Sequence, residues 1–402
     1  MFRVRLRTLL TVWRARARLV TLTGGLLLLA ACASGGDIFG TSPAPAVQPQ
    51  QAQAPAAGQI KVALILPLSA SGNAGVAATS MRNAAEMALQ EFNAQNIQLL
   101  VKDDFGTPSG AQQAAQQALD EGAEIVLGPL FAQSVQAAAQ VTRARNVPMI
   151  AFSTDASVAS RGVYLLSFLP ESDVNRVISY AFANGKRSLV AMLPDNAYGS
   201  VVEAAMQQAV SRRGGRVVGL ERYPVPPDKL KMQDPAKSIA QSSAHADALF
   251  IPDGADAVPL VVQTLGAQGM TKRLQLLGTG LWDNSRIFAD QALQGAWYAG
   301  PDIAGYNAFA GRYKAKYGQE PVRTATLAYD AAALVAALVK TQGTARFTDE
   351  VLTNASGFAG IDGIFRFRPD GTNERGLAIL KVTSDGPQVV SPAPKTFGGS
   401  GT

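Results

Sequence analysis

Short apolar runs alternate with amphipathic stretches along most of the chain, and this alternation constrains the fold more than any other feature. Runs typical of buried strands occupy residues 61–66, 97–101, 125–127, 147–152 and 163–168. Apolar residues at helical spacing fill the segments between them, at 78–92, 109–121 and 133–145. Because strands separated by a helix need right-handed crossovers, the pattern predicts a parallel sheet with helices on both faces.

The pattern restarts after residue 168, which predicts a second unit of the same kind. Its strands are expected at 188–193, 217–223, 248–251 and 274–277, and its helices at 200–213 and 257–267. Two long helices follow without a strand between them, at 306–317 and 324–340, and strands at 364–368 and 378–382 are expected to pair antiparallel. The body of about 320 residues exceeds the usual size of one core, so two lobes are expected.

The first 32 residues have the composition of a secretory leader. Six arginines without an acid precede the apolar run 19–29, and the small residues Ala30 and Ala31 follow it. The sequence Leu29-Ala30-Ala31-Cys32 resembles the lipobox of bacterial lipoproteins, in which the leader (here 1–31) is removed and the cysteine is lipidated. The alternative is an ordinary signal peptide with an incidental cysteine. Cys32 is the only cysteine of the chain, so its lipidation would leave no thiol.

Removal of this leader changes the charge of the protein. The whole chain carries +6, and loss of the six arginines brings the net charge to zero, which argues against a nucleic-acid partner. Segment 32–58 is rich in Pro, Gln and Ala, and segment 384–402 is rich in Pro, Gly and Ser. With so little apolar surface to bury, the first is predicted to be a disordered tether and the second a disordered tail.

The residue types that catalysis requires are scarce. The sequence contains no Gly-x-Ser-x-Gly elbow, no phosphate-binding Gly-x-x-x-x-Gly-Lys loop and no Cys/His spacing of a metal site. His245 is the only histidine, and Gly278-Thr-Gly280 has Asp283 where a dinucleotide fingerprint needs its third glycine. The sequence therefore predicts a protein that is not an enzyme and that uses no metal and no cofactor.

The layout of strands and helices resembles the leucine/isoleucine/valine-binding group of type I periplasmic binding proteins. The local matches are Val101-Lys-Asp-Asp104, Val126-Leu-Gly-Pro-Leu130, Pro148-Met-Ile-Ala-Phe-Ser153 and Asp195-Asn-Ala-Tyr-Gly199. The resemblance implies an α/β fold of two Rossmann-like lobes, with parallel central sheets joined by three crossovers. It implies a first lobe at 59–168 and 302–343, and a second lobe at 169–301 and 344–383.

Ligands of parallel sheets bind beyond the carboxyl ends of the strands, and polar loops are expected there. The candidate ligand-binding residues in these loops are Ser69, Gln133, Ser134, Ser153, Thr154, Asp155, Tyr198, Asp253 and Trp282. For each residue alone, turn and helix-cap chemistry is the alternative explanation.

The resemblance also implies differences at this site. The serine that holds a ligand carboxylate in the amino-acid-binding relatives falls near Ala132 here, and the acid that grips the ammonium group falls near Gly280. Tyr198 keeps the aromatic position of the family, whereas Asp155 replaces a threonine and would repel a carboxylate. An aliphatic amino acid is therefore not the expected ligand.

Two functions remain open. The lipobox, the Pro/Gln segment and the altered site together resemble the penicillin-binding protein activators of Gram-negative bacteria. Those lipoproteins are anchored in the outer membrane, contact peptidoglycan synthases in the periplasm and regulate peptidoglycan synthesis. By the same resemblance, Ala33 after the cysteine favours the outer over the inner membrane. The alternative is a solute-binding lipoprotein that delivers an amino acid or another small polar ligand to the permease of an ABC importer.

Overall fold

The computed structural model describes residues 58–397. The predicted leader, Cys32, nearly all of the predicted tether and residues 398–402 lie outside this range. Within residues 58–397, no helix combines the length and the apolar character that crossing a membrane requires.

The first lobe begins with a five-stranded parallel sheet, as the alternation of strands and helices predicts. Its elements are β1 (Ile60–Leu66), α1 (Asn73–Glu91), β2 (Ile97–Asp103), α2 (Pro108–Asp120), β3 (Ile125–Leu127), α3 (Ala132–Ala144), β4 (Met149–Ala151) and β5 (Val163–Leu165). The strand order is β2-β1-β3-β4-β5, and every neighbouring pair is parallel.

The second lobe repeats the same scheme. Its elements are α4 (Pro170–Ala183), β6 (Ser188–Pro194), α5 (Ala197–Ser211), β7 (Arg216–Tyr223), α6 (Gln233–Ser242), β8 (Ala248–Phe250), α7 (Val258–Gly266), β9 (Gln275–Gly278), α8 (Ser285–Ala289) and β10 (Trp297–Gly300). These five strands are parallel to one another.

After β10 the chain returns to the first lobe, and before β14 it crosses to the second lobe once more. The elements of this last part are α9 (Ile303–Tyr317), α10 (Ala325–Thr341), α11 (Asp349–Leu352), β11 (Phe358–Gly360), β12 (Gly363–Phe367), β13 (Asn373–Arg375), β14 (Ala378–Thr383) and β15 (Gly386–Ser391). Strands β14 and β15 complete a seven-stranded sheet in the order β15-β14-β10-β9-β8-β6-β7. Strands β11, β12 and β13 form a small antiparallel sheet of their own.

Helices cover both faces of each large sheet. In the first lobe, buried Leu64 packs in one core cluster with residues of α1 and α10, and Ile65 on the opposite face packs with residues of α2 and α3. In the second lobe, Val190 packs with residues of α6 and α7, and Leu189 packs with residues of α4 and α5. This arrangement is the doubly wound α/β architecture that the sequence predicts.

The boundary between the lobes lies further along the chain than the sequence indicates. Residues 344–383 were assigned to the second lobe, but Leu352, Phe365 and Phe367 are buried in the core cluster of the first. The ring of Phe367 lies 5.3 Å from that of Tyr164 in β5, centroid to centroid. Because this sheet buries its phenylalanines against the first lobe, the third crossover lies at Gly376-Leu377.

The last strands also pair differently from the expectation. Strand β12 pairs with β11 and β13, whereas β14 pairs with β10 and β15, so residues 364–368 and 378–382 do not pair with each other. The predicted disordered tail contains β15, which β14 binds as an antiparallel edge strand. A hairpin turn at Ser384-Asp385 joins them, and Asp385-Gly386 is a hairpin turn dipeptide that could have indicated this strand.

Candidate ligand-binding cleft

Loops at the carboxyl ends of both parallel sheets carry most of the candidate residues. In the first lobe, the exposed Ser69 follows β1 and donates hydrogen bonds from its backbone nitrogen (3.3 Å) and its hydroxyl to Asp103, the last residue of β2. Burial would raise the pKa of Asp103, but hydrogen bonds from Ser69 and from the backbone of Phe105 outweigh it and lower that pKa. Ser69 therefore has a structural partner already.

The first turn of α3 presents Gln133 and Ser134. Gln133 is exposed, whereas Ser134 is 1% exposed and its hydroxyl has no hydrogen-bond partner among the described residues. Phe131 precedes this helix without a capping side chain, so the first backbone N–H groups of α3 lack a side-chain cap. An unsatisfied hydroxyl thus lies two residues from Ala132, where the resemblance implies a ligand-binding serine.

The loop after β4 is ordered by its own side chains. The buried Ser153 accepts a hydrogen bond from the backbone of Asp155 (3.1 Å), and Asp155 accepts one from the backbone of Ser157 (2.9 Å). Thr154 and Asp155 are exposed. These contacts are turn and cap bonds, so for Ser153 and Asp155 a ligand-binding role stays a prediction.

In the second lobe, three loops meet around Tyr198 at the start of α5. Its hydroxyl lies 3.3 Å from the hydroxyl of Thr279, which follows β9. Asp253, which follows β8, accepts hydrogen bonds from the hydroxyl of Tyr223 and from the backbone of Gly254 (2.7 Å). The structure therefore brings Tyr198 and Asp253 to one end of this sheet.

The electrostatic surroundings of Tyr198 are acidic. Burial raises the pKa of Tyr198, the hydrogen bond with Thr279 opposes this shift, and the charges of Asp173, Asp253 and Glu171 add to it. The pKa of Glu171 is raised in turn, first by burial and then by the charge of Asp155. Asp155 belongs to the first lobe and Glu171 begins the second, so this interaction acts between the lobes.

Sequence reasoning missed Glu171 and Asp173, which lie in the first turn of α4. Asp173 accepts a hydrogen bond from the backbone of Gly280 (2.8 Å), and burial raises its pKa to about 7. The resemblance implies an acid near Gly280, and here a different element supplies it. The sequence signal that could have indicated these two residues is the presence of acids directly after Pro170, at the start of a helix.

Trp282 does not belong to this cleft, which corrects the expectation that it contacts a ligand. Its side chain is 0% exposed, lies in the core of the second lobe, and donates its ring N–H to the carbonyl of Ile251 (3.1 Å). The ring covers Gly278 so closely that a Cβ there would lie 2.2 Å from it. Buried on all sides, it offers no surface to a ligand.

The described residues contain no candidate metal site. Between residues 58 and 397, no group of three or more His, Cys, Asp or Glu side chains is placed to hold a metal ion. His245 is exposed on the turn after α6, and the neighbouring Asp247 binds the backbone of Arg187 and the hydroxyl of Ser188. The arrangement suits ligand binding by hydroxyls and carboxylates.

Solved structures with the same fold are numerous but distant in sequence. A structure from Rhodospirillum rubrum, described as a branched-chain amino acid ABC transporter, has a TM-score of 0.73 at 20% identity and covers 82% of this chain and 99% of its own. A branched-chain amino acid ABC transporter periplasmic ligand-binding protein from Burkholderia xenovorans has a TM-score of 0.67 at 21% identity, covering 85% and 97%. The corresponding transporter substrate-binding protein of Streptococcus pneumoniae, in complex with isoleucine, has a TM-score of 0.57 at 18% identity, covering 83% and 100%.

A sequence relative and a family profile complete the comparison. An uncharacterized protein of Rickettsia prowazekii (strain Madrid E) is 18% identical over 231 residues, which are 55% of this chain. The match spans 60% of that relative, less than two thirds of its length. The profile of the family described as periplasmic binding protein matches residues 59–387. The chain therefore belongs to the periplasmic binding protein family.

Proposed function

We propose that this protein is an extracytoplasmic substrate-binding protein that captures a small cationic ligand between its two lobes and delivers it to an ABC importer. The observation that carries the proposal is the set of acids around Tyr198. The charges of Asp173, Asp253 and Glu171 all act on its phenol, and the charge of Asp155 acts on Glu171 from the first lobe.

These charges define the class of ligand. A ligand carboxylate placed about 4 Å from the carboxylate of Asp253 costs about 4 kcal/mol at an effective dielectric of about 20, which is close to a thousandfold in affinity. An amine placed there gains a similar interaction, and the part-buried Tyr198, which Thr279 holds in place, offers a hydroxyl for a hydrogen bond. A small amine without a carboxylate therefore fits the cleft better than a free amino acid does.

Similar structures support the transport role at the level of fold. Two of them are described as ABC transporter proteins, and the third, a transporter substrate-binding protein, holds isoleucine. We do not propose isoleucine as the ligand of this protein, because Asp155 stands where the resemblance implies a threonine. Calorimetry with putrescine, spermidine and leucine distinguishes an amine ligand from an amino-acid ligand.

We expect binding of a diamine or polyamine at micromolar concentration and no measurable binding of leucine. Asp253→Asn should weaken amine binding about tenfold or more by removing one charge. Asp256→Asn is the matched control, because its side chain is 92% exposed and pairs with Arg286 outside the cleft. Micromolar leucine binding that Tyr198→Ala abolishes would instead establish an amino-acid carrier.

A second candidate is a penicillin-binding protein activator, anchored by lipidated Cys32 in the outer membrane. Sequence features favour it: the lipobox, the Pro/Gln segment, and an Asp155 that argues against amino-acid binding. On this hypothesis the lipidated full chain should retain a peptidoglycan synthase in a pull-down from membranes, and its deletion should alter cell-wall synthesis while leaving amine uptake unchanged. Retention of an importer permease would favour the first proposal.

A further inference from the structure

We propose that the protein has a second binding site, for a small polyanion, in a pocket beside the hinge. The pocket has a volume of about 980 Å³ and lies between α4 and α5 of the second lobe and the β11–β13 sheet of the first. Five arginines line it, and we call it the arginine pocket: Arg176, Arg212, Arg213, Arg368 and Arg375.

The arginine pocket adjoins the ligand-binding cleft, and Glu171 belongs to both. None of the nine residues that the sequence indicates for the cleft lines it. The volume lies at the upper end of the usual range for small-molecule sites, about 300–1,000 Å³. A molecule with two or more oxyanion groups therefore fits inside.

Most of the positive charge in this pocket is not neutralised. Among the ion pairs of the described residues, only Arg368 has a carboxylate partner, Glu374 at 3.3 Å. Arg176 donates to the carbonyl of Leu377 (2.7 Å), and Arg212 donates to the side-chain amide of Asn175 (3.1 Å). These neutral acceptors hold the guanidinium groups in place without reducing their charge.

The carboxylates of the lining do not balance the arginines. Five guanidinium groups line the pocket, but only three carboxylates do: Glu171, Asp370 and Glu374. Glu374 is shared between Arg366 and Arg368, and Asp370 accepts hydrogen bonds from Thr372. Counted over the lining residues alone, the surplus is two positive charges, which is of the kind that attracts an anion.

Arg375 is the most deeply buried of the five arginines. It is 5% exposed, and its Nε donates to the carbonyl of Ser167 (3.0 Å). Its guanidinium lies over the rings of Phe168 (4.8 Å) and Phe365 (5.7 Å), and Nη1 and Nη2 have no hydrogen-bond partner among residues 58–397. Asp362, Asp330 and Asp173 act on it electrostatically, yet none forms an ion pair with it.

The more accessible arginines define the ligand. A guanidinium presents a fork of N–H donors that matches two oxygens of one phosphate or carboxylate. Arg176, Arg212 and Arg213 line the pocket and can contact the oxyanion groups of one molecule. Arg375, whose Nη atoms have almost no accessible surface, adds positive charge behind them.

Calorimetry of the full chain with pyrophosphate and with citrate tests this site, at about 50 mM salt to limit screening. We expect at least one of the two anions to bind with a dissociation constant below about 1 mM and to raise the melting temperature. The double variant Arg212→Gln/Arg213→Gln should weaken binding at least about tenfold. Both side chains are exposed, so the variant should fold.

Arg145→Gln/Arg187→Gln is the matched control, because it removes the same charge from exposed positions outside the pocket. Its affinity for the anion should equal that of the wild type. Binding of pyrophosphate alone would identify a phosphate ligand, and binding of citrate alone a polycarboxylate. Absence of binding of both anions at about 5 mM, or an equal loss of affinity in the control, would overturn the proposal.

Discussion

Arg323 and Asp362 form a two-point ion pair that fastens the β11–β12 turn to the start of α10. Nη1 and Nη2 of Arg323 lie 3.0 Å and 2.5 Å from the two carboxylate oxygens of Asp362, which is 0% exposed. The hydroxyl of Thr326 donates to the same carboxylate (2.6 Å). The guanidinium also lies over the ring of Phe168, next to the first crossover, at 4.9 Å. The pair therefore helps to hold the small sheet on the first lobe.

Removal of this arginine should destabilise the fold strongly. Arg323→Ala leaves the carboxylate of Asp362 buried without a cation, and we expect a loss of about 3 kcal/mol in the free energy of unfolding. Arg286→Ala is the control, because Arg286 and Asp256 form an exposed pair that is worth at most about 1 kcal/mol. Urea unfolding of both variants measures the difference. Equal losses would show that burial of Asp362 adds nothing.

The sequence predicts the large sheets well because burial of both sheet faces leaves a periodic pattern. Strand β3 has the predicted bounds, and β1 and β8 differ from them by one residue. The sequence assigns the small sheet to the wrong lobe, because its position depends on the surface against which Phe365 and Phe367 pack. That surface comes from β5, some two hundred residues earlier in the chain, and no local period records it.

The site was predictable only in part, for a similar reason. Tyr198 and Asp253 lie at the carboxyl ends of strands, where a general rule places ligands. Glu171 and Asp173 approach the same place from a helix start, which depends on how the first crossover turns. Trp282 is in a loop by sequence, and only the glycine at 278 lets its ring fold back into the core.

The contact between Gly278 and Trp282 predicts a large cost for a single methyl group. In Gly278→Ala the new Cβ would overlap the buried indole ring, and we expect a loss of about 2–3 kcal/mol through overpacking. Gly311→Ala is the matched substitution, since it lies in α9 with nothing within 4 Å of its Cβ position. In Gly311→Ala the better helix propensity of alanine should raise the free energy of unfolding by about 0.5–1 kcal/mol. Thermal unfolding should show opposite shifts; a neutral Gly278→Ala would contradict the packing described here.

Membrane association should depend on Cys32. The apolar run 19–29 is too short for a lasting membrane span, and none of the described helices qualifies. Cys32→Ser should therefore yield protein that leaves the membrane fraction, whereas Ser34→Ala should behave like the wild type. Fractionation with detection of lipid incorporation measures both. Quantitative retention of Cys32→Ser in membranes would exclude a lipid anchor at this residue.

Buried Asp330 should make the protein less stable as the pH rises towards neutral. One carboxylate oxygen accepts a hydrogen bond from the backbone of Ile361 (2.8 Å), and the other has no partner among the described residues. Burial raises the pKa of Asp330 to about 7, although the charge of Arg375 opposes the shift.

The sign follows from proton binding. Between about pH 4 and pH 7 the folded protein holds a proton at Asp330 that the unfolded chain has lost, so the free energy of unfolding falls across this range as pH rises. Above about pH 7 the loss is complete and constant. The full difference corresponds to at most about 4 kcal/mol, and relaxation around the ionised group should reduce it to about 1–2 kcal/mol.

Asp330→Asn keeps the acceptor for Ile361 and removes the titration, so the variant should gain about 1–2 kcal/mol at pH 8 and little at pH 5. Asp173, whose pKa is also raised to about 7, should preserve part of the pH dependence of the free energy of unfolding in this variant. Asp349→Asn is a control of opposite sign, because Tyr164 and Arg161 hold the pKa of Asp349 below its usual value. Its loss of stability should be the same at pH 5 and pH 8. Urea unfolding at several pH values decides the matter, and an unchanged slope in Asp330→Asn would mean that this carboxyl ionises without cost.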